Sequence, residues 1–571
     1  MKKLFEKNII FICLIFLASL LIIHPLLNSG FYHFHDESQI ANLYQMARAI
    51  LSGQIPPRWA PDFSFGYGYP FFNFYYPFPF YLGSFFYLVF GATLINSLKV
   101  VFLISVPLSG ISFFLLMRKF FNRTTSLAGA IIYLFTPYRA VDLYVRGAVG
   151  ELWSFVFMPL VLLCFINLAE KRSLKSLSFA GLSLAGLLLS HSLSAIIFLP
   201  FAFLFALIFA LRQKQKLSSL ISLALGGLFG FSLSAYFWLP AILERKFVQP
   251  GTPFNPFDHF PFIKQLFYSK WGYGASVWGS EDGMSFQIGL VNLAILATAV
   301  LAFIAKRKAW NGAKKALFLF TSLSFLACLF LMNIRSGFLW NLLPLGQYVQ
   351  FPWRFLLLTT LFSSLAVGFC QDLSKKWERW TRFLPLCFAA LAIVLNLGYF
   401  KPQEIVQVDD DHFLKIMFAN ITSRGKSDFL SPQYLNYSED YLPLTIWTQE
   451  RPTALPSAAM TINSGRIDYQ ELTAVHYQAS VESKTPAEVS FNQYYFPGWR
   501  ATVDGKAATL KPGQPHGEII IPVPAGEHRL EIWFGNTLLR SWANLASALS
   551  LVFLVAITLG SFTKTKFFPL K

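Results

Sequence analysis

Apolar stretches of about 20 residues, the length that crosses a bilayer as a helix, recur from Phe11 to Phe400 and once more from Ala543 to Leu559. No other feature constrains this chain as strongly. Hydrocarbon offers no hydrogen-bond partners, so backbone that crosses it must satisfy its own N–H and C=O groups, and only helices and closed barrels do so. Runs this long and this continuously apolar read as helices. Charged residues are 13% of the 571 and apolar residues 55%, whereas a soluble chain carries roughly a quarter charged. The composition therefore describes a multi-pass membrane protein.

A formal net charge of +18 could suggest a nucleic-acid binder, so the location of the charge decides its meaning. Seven short clusters between the apolar runs hold 24 of the 47 Lys and Arg: those around Lys2, Arg118, Lys171, Arg212, Lys306, Lys375 and Lys564. With the four acids in the same stretches they carry +20, and the rest of the chain carries −2. By the positive-inside rule the clusters mark cytoplasmic loops. No basic surface is left to track a phosphate backbone, which excludes nucleic acid as a partner. The cysteines Cys13, Cys164, Cys328, Cys370 and Cys387 all sit in apolar stretches without CxxC or metal-like spacing, as packing residues do. The run from Asn8 to Leu27 has the basic start of a signal peptide but no small-x-small cleavage site, and reads as a retained first span.

Taking each cluster as an inside mark and requiring every span to change sides yields about 12 spans with both termini cytoplasmic. Between the first span and Arg118 lie two apolar runs, Phe78 to Phe90 and Ile95 to Met117, of which only one can cross. The shorter, Pro-broken, aromatic one is assigned to the outer interface. Later spans are expected near 97–117, 124–140, 150–168, 176–191, 193–212, 218–240, 285–305, 315–334, 354–371, 383–400 and 541–560. The outer pieces are a first loop at 29–96, a short loop at 139–150, a middle loop at 241–284, a turn at 335–353 and a long region at 401–540. Alternation in 501–504, 519–523 and 528–532, with Asp504-Gly505 and Ala525-Gly526 as turn signals, makes the last a small antiparallel β domain. The organisation is then a membrane module at 1–400, an outer β-rich domain at 401–540, and a final span with a cytoplasmic tail at 541–571.

An ionisable residue at a membrane is costly, so each one near a common face is a site candidate. His35-Asp36-Glu37 follows the first span and precedes a helix expected from Ser38 to Leu51. Two adjacent carboxylates suit a general base and a metal or hydrogen-bond partner; the plain alternative is that Asp36 caps the helix with Gln39. Between Tyr138 and Glu151, Asp142 and Arg146 stand four apart and can neutralise one another, while Glu151 has no such local partner. A guanidinium there suits a phosphate. His191 and Arg354 also lie where spans meet the outer surface; Arg354 either binds an anion or snorkels to headgroups. From Phe63 to Tyr81, 12 of 19 residues are aromatic, either an interfacial belt or a platform for a prenyl chain or sugar ring.

The acidic pair in the first outer loop, the interfacial helix before the second span and the soluble domain at the far end together resemble the GT-C superfamily of integral-membrane glycosyltransferases. Arg146-Gly147-Ala148 with Glu151, Leu189-Ser190-His191, Gln350-Phe351-Pro352-Trp353-Arg354 and Tyr495-Phe496-Pro497-Gly498-Trp499 are similar to the bacterial YfhO-like proteins and the membrane family labelled 6-pyruvoyl-tetrahydropterin synthase-related. The fold class expected is mainly α, a multi-pass transmembrane helical bundle with a C-terminal extracytoplasmic antiparallel β domain. No soluble pterin-enzyme pattern or zinc-ligating histidine cluster stands in the sequence, so pterin chemistry is rejected.

The resemblance implies catalysis at the outer face of a bacterial cytoplasmic membrane. A sugar would pass from a polyprenyl-phosphate donor to an acceptor glycan, lipid or protein. Carried over by position, Asp36 is the general base with Glu37 supporting it. Glu151, with Asp142, is the second acidic element near the acceptor or a cation. Arg146, His191 and Arg354 hold the lipid phosphate as negative charge grows on it. Mg2+ or Mn2+ on Asp36 and Glu151 is the cofactor this scheme admits, although no DxD-type pair stands in the second outer loop. A transporter of lipid-linked sugars and a non-catalytic polysaccharide-binding assembly protein are the rival readings. Transporters carry internal repeats and charges near the bilayer midplane, whereas these charges gather at the outer ends, and 12 spans exceed what an anchor needs.

Overall fold

The computed structural model of the chain describes residues 8–36, 38–248, 255–343, 345–373, 378–411 and 456–560. It is mainly helical, with antiparallel sheets towards the C-terminus. Among the described residues eight helices are long and apolar enough to cross a membrane: Ile9–Leu27, Leu94–Met117, Val149–Lys171, Ser192–Ala210, Lys216–Leu233, Gly312–Leu331, Pro352–Cys370 and Leu538–Leu559. The expected count of about 12 spans is not established. Arg123–Leu134, Leu174–Ser190, Leu290–Lys306 and Leu384–Asn396 stand where the others were expected, but they are 12, 17, 17 and 13 residues long. The span expected at 124–140 stops at Leu134 because Pro137 cannot continue the backbone ladder, and a new short helix, Pro137–Ala140, begins there instead. Phe78–Phe90, at 13 residues, is too short to cross.

Side-chain caps set several helix starts. Asn122 accepts from Thr125 N–H, Asn311 from Lys314 N–H and Thr537 from Arg540 N–H, while Ser173 and Ser176 close a capping box; such caps contribute about 1 kcal/mol each. Apolarity around the whole circumference marks the central helix. Every residue of Leu356–Cys370 is buried, with Ser363, Ser364 and Gly368 letting neighbours approach. The last helix, Leu538–Leu559, buries only a narrow stripe including Arg540, Ala543, Ser547, Leu554 and Ile557.

The C-terminal strands form two antiparallel sheets. Four strands pair in the order Met460–Ile462, Ala487–Tyr494, Glu518–Val523, Lys511–Pro512. Five pair in the order Arg466–Thr473, His476–Ser483, Gly526–Phe534, Trp499–Val503, Lys506–Ala508. Tyr477 and Trp499 of one sheet meet Phe491 of the other at centroid distances of 4.9 and 5.2 Å, which makes the core of a sandwich. Asp504-Gly505 is a hairpin turn with φ of +51° and +76°, the left-handed pair such a turn requires. Ala525-Gly526 is not a hairpin, because the strands it joins lie in different sheets.

The sandwich is seated on the segment 29–96, and here the aromatic run departs from both expectations. Phe63, Tyr67, Tyr69, Phe71, Phe72, Phe74, Tyr76 and Phe80 are buried, so they form neither a lipid-facing belt nor an open platform. Tyr494 N–H donates to Tyr67 C=O at 2.9 Å, Gln493 Nε2 to Gly66 C=O at 2.7 Å, and Trp59 Nε1 to Gln493 Oε1 at 2.8 Å. Phe31–Tyr32 also pairs antiparallel with Ile405–Val406, closing the first loop onto the chain beyond the helix Leu384–Asn396.

Candidate active site

Asp36 is placed by backbone. His35 N–H donates to Val145 C=O and Asp36 N–H to Arg146 C=O, both at 2.9 Å, so the segment after the first helix lies along the turn that carries Arg146. His35 Nε2 stands 3.0 Å from Tyr273 C=O of the middle loop. The helix that follows is Gln39–Leu51, entered at Ser38 without a side-chain cap. Asp36 therefore does not cap it, contrary to the simpler expectation. The Asp36 carboxylate has no protein hydrogen bond among the described residues and is partly exposed. It lies within electrostatic reach of Arg146, Arg354 and Glu151, and its burial pushes the carboxyl above the ordinary carboxylate range against the pull of these cations. Glu37 lies outside the described residues.

The second wall is the turn Val141–Arg146, which has π-helical hydrogen bonding, a local widening often found at functional sites. It ends at Gly147, φ +63°, where a Cβ would stand 2.1 Å from the Phe34 ring; only glycine lets the loop turn so close to the strand before Asp36. Gly150 allows the next helix, Val149–Lys171, to abut Ser190 C=O and the Tyr76 ring, each 2.7 Å from any added Cβ.

These turns bring Asp142, Arg146 and Glu151 together. Arg146 Nη1 meets Asp142 Oδ1 at 2.5 Å, and Nη2 meets Glu151 Oε1 at 2.9 Å. Tyr138 donates its hydroxyl to Glu151 Oε2 at 2.9 Å. Glu151 thus has close local partners in Arg146 and Tyr138, where sequence spacing suggested none: the widened turn brings a residue five positions away into contact. Asp142 and Glu151 are 0% and 1% exposed, burial that carboxylates tolerate only when paired. Arg354, from the turn Pro352–Phe355, reaches Glu151 Oε1 with Nε at 3.6 Å and donates from Nη1 to Val349 C=O at 3.1 Å. Its flat face lies over Phe351, while Trp353 covers Arg146 at 4.7 Å. Trp353 therefore holds the neighbouring arginine as well as its own turn.

His191 lies between the helices Leu174–Ser190 and Ser192–Ala210. Its Nδ1 accepts the Ser194 N–H at 3.2 Å, which leaves the proton of the neutral ring on Nε2. The Tyr76 ring packs on it edge to face at 5.0 Å. His191 lies within electrostatic reach of Glu151, Arg354 and Arg146. One site therefore gathers Asp36, Asp142, Arg146, Glu151, His191 and Arg354 from four separate stretches. Tyr138, Tyr76, Phe351 and Ser194 complete it; the sequence signal of Tyr138, Phe351 and Ser194 was only proximity to those residues, and that of Tyr76 was its place in the aromatic run. Asp142 and Glu151 balance Arg146 and Arg354, leaving Asp36, among the described residues of the site, as the carboxylate without a dedicated cation.

A divalent cation does not fit the donor set that the described residues offer. Among the described residues no three His, Cys, Asp or Glu side chains are grouped to hold a metal. Both oxygens of Glu151 are taken by Arg146 and Tyr138, and a guanidinium beside the carboxylate repels a second positive charge.

A second buried cluster, which sequence reasoning missed, fixes the sandwich to the membrane module. Glu244 Oε2 accepts from Arg540 Nε and Asn73 Nδ2, both at 2.8 Å, and Oε1 accepts from Thr537 at 2.9 Å. Arg540 Nη2 donates to Pro497 C=O at 2.9 Å, and Arg58 joins Asn73 to Asn544 at 3.1 and 2.9 Å. Gly498, φ +121°, belongs to this junction: a Cβ would stand 2.6 Å from Arg540 Nη1.

A family model described as the 6-pyruvoyl-tetrahydropterin synthase related domain, membrane protein, matches residues 72–402. An uncharacterized protein of Lactococcus lactis subsp. cremoris (strain MG1363) is 24% identical over 251 residues, 42% of this chain and 41% of that one. The chain thus spans less than half the length of the curated relative it matches. Among solved structures, the arabinofuranosyltransferase AftD from Mycobacteria is similar at a TM-score of 0.46 and 14% identity, over 71% of this chain and 28% of that one. The oligosaccharyltransferase of Archaeoglobus fulgidus, in complex with Zn and sulfate, is similar at 0.42 and 14%, over 75% and 57%.

Proposed function

The chain belongs to the 6-pyruvoyl-tetrahydropterin synthase related family of membrane proteins, and we propose that it is a glycosyltransferase that moves a sugar from a polyprenyl-phosphate donor to an extracytoplasmic acceptor. The observation that carries this reading is the Asp36 carboxylate. It is held by backbone on both sides, bears no protein hydrogen bond among the described residues, and stands beside two arginines on buried supports. A carboxylate so placed can accept a proton, and cations beside it can receive an anionic leaving group.

In the proposed reaction the acceptor hydroxyl loses its proton to Asp36, its oxygen bonds to the sugar C1, and the C1–O bond to the lipid phosphate breaks with its electron pair. The released phosphate takes up negative charge, which the Arg354 guanidinium and the Nε2–H of His191 stabilise. Arg146 spends both terminal nitrogens on Asp142 and Glu151, so it braces Glu151, and Glu151 orients Arg354. Glu151 is engaged on both oxygens and is a poor nucleophile for C1; with Asp36 acting as base and no carboxylate attacking C1, the reaction is a single displacement with inversion. The outer face is supported by helix polarity: Glu151, His191 and Arg354 stand at helix ends opposite those that lead to Lys171-Arg172 and Lys375-Lys376. With basic ends cytoplasmic, the site faces out of a bacterial cytoplasmic membrane and both termini face in.

The test is transfer of labelled sugar from a polyprenyl-phosphate donor pool to membrane acceptors by full-length protein at matched levels. Asp36→Asn is expected to lower transfer by about 10²–10⁴, the usual contribution of a general base, and Arg354→Ala to lower it by a comparable factor. Unchanged transfer in Asp36→Asn would remove that residue from the mechanism. Absence of transfer by wild type from every polyprenyl-phosphate sugar in the pool would turn the reading towards transport or binding.

A further inference from the structure

A groove of about 580 Å³ runs between residues 52–58 of the first outer loop and the sandwich, and it shares no lining residue with the site around Asp36. Its size falls within the roughly 300–1,000 Å³ of small-ligand pockets. One wall is the outer face of the five-stranded sheet, where register places Thr473, His476, Trp533 and Arg500 in one row across neighbouring strands. The adjacent row on that face is Gln470, Gln478, Glu531 and Thr502. His476 Nε2 and Glu531 Oε1 meet at 2.8 Å across the two rows, and Trp533 is partly exposed beside them. The opposite wall offers Gln54, Ile55, Pro56 and Arg58. Arg58 is buried and donates to Asn73 and Asn544.

We propose that this groove binds a neutral oligosaccharide segment, with the Trp533 indole under one sugar ring and His476, Glu531 and Asn536 taking its hydroxyls. The chemistry points to a sugar on three counts. An indole face attracts the polarised C–H groups of a pyranose or furanose, and the surrounding side chains are flat donors and acceptors of the kind that pair with vicinal hydroxyls. The charges that line the groove are one of each sign, Glu531 paired with His476 and Arg58 turned to two asparagines, while Arg500 at the end of the row lies outside the lining and donates to Asn536 C=O at 2.9 Å, so the lining has no net charge to select an ionic ligand. The floor is rigid, because Arg58 belongs to the network that holds the sandwich on the membrane module. Binding here requires no transfer chemistry and stands whether or not Asp36 is a base.

The experiment is binding of full-length protein in nanodiscs to an array of neutral oligosaccharides, two to six residues long, built from the common hexoses, pentoses, deoxyhexoses and N-acetylhexosamines. Wild type is expected to retain a subset. Trp533→Ala and Glu531→Gln should weaken that subset at least tenfold at an unchanged thermal midpoint, and Trp533→Phe should restore part of it. Retention of nothing by wild type overturns the proposal, as does equal retention by wild type, Trp533→Ala and Glu531→Gln. If Trp533→Ala fails to fold, the comparison of Glu531→Gln and Trp533→Phe with wild type decides in the same way. Sugar transfer without array binding would leave the catalytic reading standing and remove this one.

Discussion

At the scale of single residues the informative contrast is between three acids of one site. Asp142 and Glu151 are buried against Arg146, whereas Asp36 is bonded to its neighbours through backbone alone and its partly exposed carboxylate has no hydrogen-bond partner among the described residues. Burial raises the Asp36 pKa, so the ionised form that a base needs accumulates only above the ordinary carboxylate range near 4. The acid limb of the transfer-rate profile is therefore expected above that value in wild type. A limb at or below it would show that Asp36 is not the titrating base. The same sign governs stability: an acid with a raised folded-state pKa takes stability away as pH rises through that value. Asp36→Asn is then expected to melt at or above the wild-type midpoint at pH 7 while losing transfer. A lower midpoint would mean that the carboxylate holds the fold rather than the reaction.

Among elements, the hairpin Trp499–Val503 to Lys506–Ala508 and its neighbour Gly526–Phe534 carry a local pH response. Asp504 accepts from His528 Nδ1 at 2.6 Å and from Arg529 N–H at 2.8 Å, and Asp504 N–H donates to Arg529 C=O at 2.9 Å. These bonds raise the His528 pKa and lower that of Asp504. The histidine contribution is present below its ordinary value of about 6.5 and fades as pH rises through the raised one. The aspartate contribution is present above about 4 and fades as pH falls through the lowered one. Hydrogen exchange at the Asp504 and Arg529 amides is expected to be slowest relative to its intrinsic rate between those values, and the maximum should vanish in His528→Ala. The strands here were legible beforehand because alternation and Asp504-Gly505 are local signals. That Ala525-Gly526 crosses between sheets was not legible, since pairing partners are set by strands elsewhere in the chain.

For the molecule as a whole, the junction of sandwich and membrane module depends on Glu244, which neutralises Arg540 in a place closed to water. Removing one partner of such a pair costs about 3–5 kcal/mol, while replacing both by apolar groups is often tolerated. Glu244→Ala is thus expected to speed hydrogen exchange in Trp499–Val503 and the start of Leu538–Leu559, and Glu244→Met with Arg540→Met to recover much of the protection. Unchanged exchange in Glu244→Ala would show that the edge-to-face contact of Trp59 with Trp499, at a centroid distance of 5.4 Å, suffices to dock the sandwich. The sequence by itself determined the membrane class, the approximate positions of most apolar helices, the shortness of the run Phe78–Phe90 and the strand segments after Trp499. Each follows from hydropathy, charge placement or local turn chemistry, which act over a few to about 20 residues. It also marked Asp36, Arg146, Glu151, His191 and Arg354 as costly polar residues at helix ends. Only the tertiary structure decided that these five share one site, that Glu151 is held by Arg146 and Tyr138, and that the aromatic run is a buried seat for the sandwich. Those outcomes are contacts between distant segments, and whether a side chain meets lipid, water or a partner is a property of packing that no local pattern encodes.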